Sequence, residues 1–222
     1  MSFVVALDGP AGSGKGTVTK KVAEILNLSQ IDTGAMYRCV SLAMIQQKIS
    51  LDDKNKIEEM LKEIDIKFKE ENGITKVFLN DEDVTKIIRE EEVNNIVSQV
   101  SHIVCVREAM VEMQRNIAKG KNIIMEGRDI GTNVFPDAEV KIYLDASPEE
   151  RANRRYKQNI ENGIECSYEK ILENVKFRDH NDLTSIVGTL KKHPEAVVVD
   201  STNMKIEDVI DKVVNIIKEK IS

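Results

Sequence analysis

The sequence predicts an α/β protein built on a parallel sheet, and three observations lead there. Five short apolar runs recur between helical patterns: Phe3 to Leu7, Gln30-Ile31, Ile123 to Met125, Val140 to Leu144 and Ala196 to Val199. Runs of this length read as strands buried on both faces, as in a sheet covered by helices. A glycine-rich turn, Gly9-Pro10-Ala11-Gly12-Ser13-Gly14-Lys15-Gly16-Thr17, joins the first run to a helical pattern of Val18, Val22, Ile25 and Leu26. One stretch of period two, Ile64, Ile66 and Phe68 alternating with Asp65, Lys67 and Lys69, breaks the order and reads as a small antiparallel insert.

The turn after the first strand has the composition of a phosphate-binding loop. Glycines let the backbone curl with its N–H groups inward, the helix start adds partial positive charge, and Lys15 can reach the terminal phosphates of a nucleoside triphosphate. The hydroxyl usual straight after the lysine is replaced by Gly16 and comes one place later, at Thr17. Four runs end in an acid (Asp8, Asp32, Asp145 and Asp200), so carboxylates should collect at the carboxyl edge of the sheet, where open α/β folds bind ligands.

Composition narrows the partners. The 222 residues, 41% of them hydrophobic, suffice for a core. A net charge of −6 argues against a sequence-independent grip on a nucleic acid polymer, while local arginines can still make a cleft for a small anion. Cys39, Cys105 and Cys166 form no C-x-x-C pair, and His102, His180 and His193 show no ligand spacing, so neither a disulfide framework nor a histidine metal site is indicated. No stretch approaches the roughly 20 apolar residues of a membrane span, and the N-terminal apolar run is too short for a signal peptide. A cytoplasmic protein is expected.

Along the chain, Asp32-Thr33-Gly34-Ala35-Met36-Tyr37-Arg38 turns into a helix with a hydroxyl and an arginine at its start. It reads either as a second phosphate site or as a Thr33 cap beside a surface arginine. Ile57, Met60, Leu61 and Ile64 keep helical spacing; Asn72-Gly73 then gives a hairpin turn, and Val77 and Leu79 a returning strand that ends at Asn80-Asp81. Helices are expected from about Glu91 to Ser101 and from Val104 to Lys119, closed by Gly120. Glu126-Gly127-Arg128-Asp129-Ile130-Gly131-Thr132 sets opposite charges between glycines at a strand end, which points to ligand contact. Ser147-Pro148-Glu149-Glu150 predicts a helix start with a capping box. Arg151, Arg154 and Arg155 follow; such a run is usually a solvated face, but arginine in a lysine-rich chain favours phosphate recognition. A further helix near Tyr168 to Arg178 leads to Asp182, and a last helix shows Val209, Val213, Ile216 and Ile217 on one face.

Gly-Lys-Gly-Thr resembles the nucleoside monophosphate kinases. Together with Asp-Thr-Gly-Ala-Met-Tyr-Arg, the hairpin, Glu-Gly-Arg-Asp-Ile-Gly-Thr, Phe135-Pro136-Asp137-Ala138 and Leu144-Asp145-Ala146-Ser147, it makes the chain resemble bacterial cytidylate kinases from Leu7 to beyond Ile206. The resemblance implies a P-loop kinase fold: a five-stranded parallel sheet flanked by helices, in one domain over 1–222, with a monophosphate-binding insert near 62–100 and a helical lid near 151–185. It implies transfer of the γ-phosphoryl of ATP, with Mg²⁺, to CMP or dCMP. The donor side would be Gly9 to Thr17 with Arg151, Arg154 and Arg155, and Thr17 would orient the metal or the α-phosphate. On the acceptor side, Thr33, Arg38 and Arg128 would lie near the CMP phosphate, Arg178 and Asp182 near ribose or phosphate, and Ser98, Arg107 and Asp129 near the base. Lys15, Arg128, Asp129 and Arg154 would be catalytic. The expected state is a monomer without nucleic acid or membrane partners. UMP or AMP kinases are the alternatives. A nucleotide switch would want D-x-x-G and N-K-x-D segments; the first is absent, and the nearest match to the second, Asn55-Lys56-Ile57-Glu58, ends in Glu. One departure stands out. Related kinases commonly carry an arginine and then a proline where this chain has Ser185 and Thr189.

Overall fold

The structure, a computed structural model, describes residues 2–71, 74–185 and 187–221. The chain divides into two compact units, residues 1–30 with 120–222, and Ile31–Lys119. The larger unit carries a parallel sheet. Its strands are β1 (Val4–Asp8), β2 (Ser29–Asp32), β6 (Ile123–Gly127), β7 (Val140–Asp145) and β8 (Val197–Asp200), in the order β2-β6-β1-β7-β8. β1 lies centrally, with Val5 opposite Ile124 on one side and Val140 on the other. β2 enters the edge where the Ser29 N–H donates to the Asn122 carbonyl.

All five apolar runs are therefore strands, each reaching one or two residues further, to Asp8, Asp32, Gly127, Asp145 and Asp200. Burial on both faces holds for β1 and β6. It fails at β8, an edge strand whose Val198 is exposed. On one face α1 (Lys15–Leu26) and α8 (Ile206–Ile221) pack through Val18, Val22, Val209, Val213 and Ile217 onto Val5, Leu7, Ile142 and Leu144. At about 1.5–3 kcal/mol for each fully buried aliphatic side chain, this cluster supplies the unit's principal apolar stabilisation.

The same unit contains α6 (Pro148–Glu161) and α7 (Tyr168–Thr184). Ser147 caps α6 by accepting from the Glu150 N–H at 3.2 Å, with Pro148 in the first turn as expected. The reciprocal half of the capping box does not form: Glu150 accepts from Arg154 Nε instead, and the Ser147 N–H donates to Thr202 Oγ1. A salt-bridged carboxylate and a ready hydroxyl from the next loop outcompete the local bond.

The second unit holds α2 (Thr33–Gln46), α3 (Lys54–Glu63), α4 (Glu91–Val100), α5 (Val104–Ala118) and a sheet of β3 (Ile66–Glu71), β4 (Ile74–Leu79) and β5 (Glu82–Asp83). β3 and β4 pair antiparallel, Ile66 opposite Leu79 and Phe68 opposite Val77, as the period of two predicts. The expected turn residues Asn72 and Gly73 lie outside the described residues. The alternation predicts that the hairpin ends at Asn80-Asp81, but both adopt positive φ, 48° and 66°. They form a second two-residue turn into β5, pairing Leu79 with Glu82. α2 is capped by Asp32, whose carboxylate accepts from the Ala35 N–H at 3.0 Å; Thr33 is already inside the helix and is not the cap.

Candidate functional site

The loop between β1 and α1 closes on itself around Lys15. Gly14 takes φ 94° to start the helix, a conformation that glycine adopts without strain. Gly9 has no room for a side chain: a Cβ there would stand 2.1 Å from the Leu144 carbonyl oxygen, so the loop begins pressed against β7. Lys15 Nζ donates to the Gly9 and Pro10 carbonyls at 2.8 and 2.7 Å, with Ser13 Oγ at 3.5 Å. The lysine is 6% exposed. Burial pushes its pKa down to about 7, Arg128 adds to the shift, and Glu126, Asp8 and Asp182 oppose it. Pro10, Ala11, Gly12 and Gly16 complete the loop, and Thr17 is exposed on the first turn of α1.

The strand ends beside the loop carry the remaining charges. Glu126, at the end of β6, lies 3.0 Å from Thr19 Oγ1 and would stand 3.5 Å from a Cβ at Gly16. Thr19 also meets the Lys15 carbonyl at 2.9 Å and accepts from Gln30 Nε2 at 3.0 Å. Arg128 Nε donates to Asp182 Oδ2 at 2.7 Å, joining the β6 loop to α7. Arg178 stands one helical turn before Asp182 on α7. Asp129, 5% exposed, accepts from Asn133 Nδ2 at 3.0 Å.

The three arginines of α6 differ sharply. Arg151 has a side chain only 3% exposed and donates to the Ala146 and Ala11 carbonyls and to both oxygens of Asp179, at 2.8 and 2.6 Å. Arg154 is half-buried between Glu150 and the Ser201 hydroxyl and carbonyl, and a Cβ at Gly14 would stand 3.9 Å from its Nη1. Arg155 is exposed. Only Arg155 has the solvated character a charge run suggests.

The second unit brings its own candidates together around α2. Thr33 is buried on the first turn. Arg38 Nε donates to Asn94 Oδ1 at 3.3 Å, and Ser98 follows Asn94 by one turn of α4. Arg107, 9% exposed on α5, donates to Tyr37 Oη at 3.1 Å with its guanidinium 5.6 Å from the Tyr37 ring centre.

A family model described as cytidylate kinase matches residues 5–219, which takes in both units. The chain belongs to the cytidylate kinase family. Proteins named cytidylate kinase from Fusobacterium nucleatum and Pediococcus pentosaceus are each 46% identical to it, the first over 99% of this chain and 97% of its own, the second over 97% and 96%. One from Caldicellulosiruptor bescii is 47% identical over 96% of this chain and 94% of its own. Among solved structures, an uncharacterized protein from Eubacterium ventriosum superposes with a TM-score of 0.53 at 11% identity, covering 99% of each chain, and shares the fold. Among the described residues no helix is long and apolar enough to cross a membrane.

Sequence reasoning named no role for Asp8, Thr19, Glu126 or Asp179. Glu126 stood inside a quoted motif and Asp8 among the strand-end acids, so both carried a signal. Thr19 and Asp179 carried none, because their partners are remote in sequence.

Proposed function

We propose that the protein transfers the γ-phosphoryl group of ATP to CMP or dCMP, giving ADP and CDP or dCDP. The observation that carries this reading is the full-length cytidylate kinase match of a chain whose phosphate-binding loop closes on a buried lysine. An acceptor phosphate oxygen is already a nucleophile, so the reaction needs alignment and positive charge around a loose transition state more than a general base.

On the donor side, Gly9 to Gly16 offer backbone N–H groups to the phosphates. Lys15 exchanges the Gly9 and Pro10 carbonyls for phosphate oxygens and neutralises charge on the transferring group. Arg154 and Arg155 supply further donors from α6. Arg151 serves the donor from behind, by holding the Ala11 carbonyl. On the acceptor side Arg128, Arg178, Thr33 and Arg38 bind the CMP phosphate, and Asp182 orients Arg128 while serving ribose or phosphate. Asp129 accepts from the cytosine amine, and Ser98 and Arg107 donate to the acceptors beside it.

Mg²⁺ fits the residues present. Thr17 offers an exposed hydroxyl and Glu126 a carboxylate beside Gly16, both hard oxygen donors. Either would hold the ion chiefly with the nucleotide's phosphates. When bound, it would neutralise charge across the β- and γ-phosphates.

A coupled ADP-release assay with CMP, dCMP, UMP and AMP as acceptors tests the reading. CMP and dCMP should be turned over far faster than UMP or AMP. Faster turnover of UMP or AMP, or none of any acceptor, overturns it.

A further inference from the structure

Four strands of the main sheet end in aspartate, and three of these acids do local work. Asp32 caps α2 at Ala35, Asp145 accepts from the Ala146 N–H, and Asp200 accepts from Thr202. Asp32 also meets Arg89 Nη2 at 3.4 Å, but of the four only Asp8 joins both of its oxygens to backbone N–H groups of a remote segment. Its Oδ1 accepts from the Ile130 N–H and its Oδ2 from the Gly131 N–H, both at 2.8 Å, over sequence separations of 122 and 123. The side chain is 6% exposed, and a Cβ at Gly131 would stand at ordinary contact distance, 3.4 Å from Asp8 Oδ2 and 3.5 Å from Lys141 Cγ. One carboxylate thus fixes the start of the phosphate-binding loop, one residue after it, to the segment that carries Arg128 and Asp129.

We propose that Asp8 is a positioning residue for phosphoryl transfer, whose two oxygens hold the Arg128–Asp129 segment in place relative to the phosphate-binding loop. The proposal rests on the kinase reading above. It assigns a task that an amide of the same size cannot perform, because asparagine accepts from one N–H and turns an N–H₂ toward the other. Burial pushes Asp8 up to about 6, against the two N–H bonds and Lys15 and with help from Asp129. The folded state therefore holds the proton more tightly than the unfolded chain. The group's contribution to stability is full below about 3.8, the usual carboxylate value, and is lost as pH rises through about 6. At neutral pH ionisation of this group weakens the fold relative to its protonated form. The charged and titratable groups facing it are Asp129 from the loop, Lys15 from α1 and Tyr143 from β7.

The test is Asp8→Asn, read by kinetics and, independently, by amide hydrogen exchange. Asp8→Asn should lower kcat/KM for CMP about tenfold at pH 8, the size of one lost buried hydrogen bond. Binding of a non-hydrolysable ATP analogue should change by less than about twofold. A protonated carboxyl also presents one acceptor and one donor, so the ratio of wild type to Asp8→Asn should shrink toward one by pH 5, where the ionisation of CMP itself cancels. Amide hydrogen exchange over residues 128–134 reads the holding without any substrate, and it should quicken in Asp8→Asn. Unchanged exchange overturns the proposal, as does a wild-type-to-variant ratio that is flat with pH, or an equal loss of analogue binding. Wild type that fails to phosphorylate CMP overturns the kinase reading instead, and exchange still decides whether Asp8 holds the segment.

Discussion

The phosphate-binding loop and the α6–α7 hairpin belong to the same unit and are held by opposite means. The loop sits on the large cluster of Val5, Leu7, Val18, Val22, Ile142, Leu144 and Val213, and its lysine is bonded to the loop's own carbonyls. Among the described residues the hairpin's buried hydrophobic residues are Ala152, Ile171 and Val175, rimmed by Tyr156, Cys166, Tyr168 and Leu172, while Ile160, Ile164, Phe177 and Leu183 stay exposed. Few buried apolar contacts mean a low free energy of local opening. The sheet edge is the more firmly packed of the two, and the hairpin opens at smaller cost, tethered through Arg151. Motion there would let Arg154 and Arg155 close over the triphosphate and exclude water, which would otherwise accept the phosphoryl group.

The largest expected effect breaks the loop side of this comparison. Lys15→Met should lower kcat by two or more orders of magnitude, on the order of 3 kcal/mol of transition-state stabilisation, with CMP binding within about twofold of wild type. Near-normal turnover would remove the loop as the donor site. Stability should respond as well, with a definite sign. The folded state binds this lysine's proton less tightly than the unfolded chain, so the penalty is full below about pH 7 and fades as pH rises toward 10.5. Melting temperatures at pH 6 and pH 9 check it: wild type should gain on Lys15→Met at the higher pH.

The tether comes next. Arg151→Ala removes the donor from Ala11, Ala146 and both oxygens of Asp179, and breaking a buried pair in this way costs about 3–5 kcal/mol. For a chain of this length that corresponds to a melting temperature lower by roughly 10 °C. Arg155→Ala, four residues on and exposed, should leave melting within a degree or two and raise the KM for ATP several-fold. If both variants melted like wild type, Arg151 would be no tether and the contrast between the two regions would fail.

Local chemistry explains which parts of this arrangement were legible in the sequence. The strands, the loop, the α6 cap and the β3–β4 alternation all depend on residues within a few positions of one another, and all were found. β5 is not legible in the sequence, because the alternation ends at Asn80-Asp81 and two residues beyond a left-handed turn are too few to show a period. Asp8 could be seen as an acid at a strand end but not separated from Asp32, Asp145 and Asp200, since only the fold delivers Ile130 and Gly131 to it. Arg151 looked equivalent to Arg154 and Arg155 for the same reason. A run of arginines shows that guanidinium chemistry is present; the packing of α6 decides which member is buried.

The smallest expected effect lies where α7 ends and the chain departs from the family pattern. Ser185 stands where related kinases commonly carry arginine, and its hydroxyl donates to the Val187 carbonyl while its own carbonyl accepts from Thr189 Oγ1. The Leu190 N–H donates to the Asp182 carbonyl at 2.7 Å, which ties the following residues back to the helix that carries Asp182 and Arg178. Serine committed to a local turn supplies no charge. Lys191 and Lys192 come directly after this tie, both exposed, and are the nearest cations beyond it in sequence. If they replace the missing arginine, they do so as solvated point charges without its bidentate geometry, so each is worth only about 0.2–1 kcal/mol. The double variant Lys191→Ala, Lys192→Ala should therefore raise the KM for CMP by about two- to fivefold at low salt and less at high salt, with kcat and the KM for ATP unchanged. Ser185→Arg in that background should restore it. A KM for CMP that does not move in the double variant means that Arg38, Arg128 and Arg178 neutralise the acceptor phosphate without the lysines, and that the loss of the arginine at position 185 was absorbed by the first three.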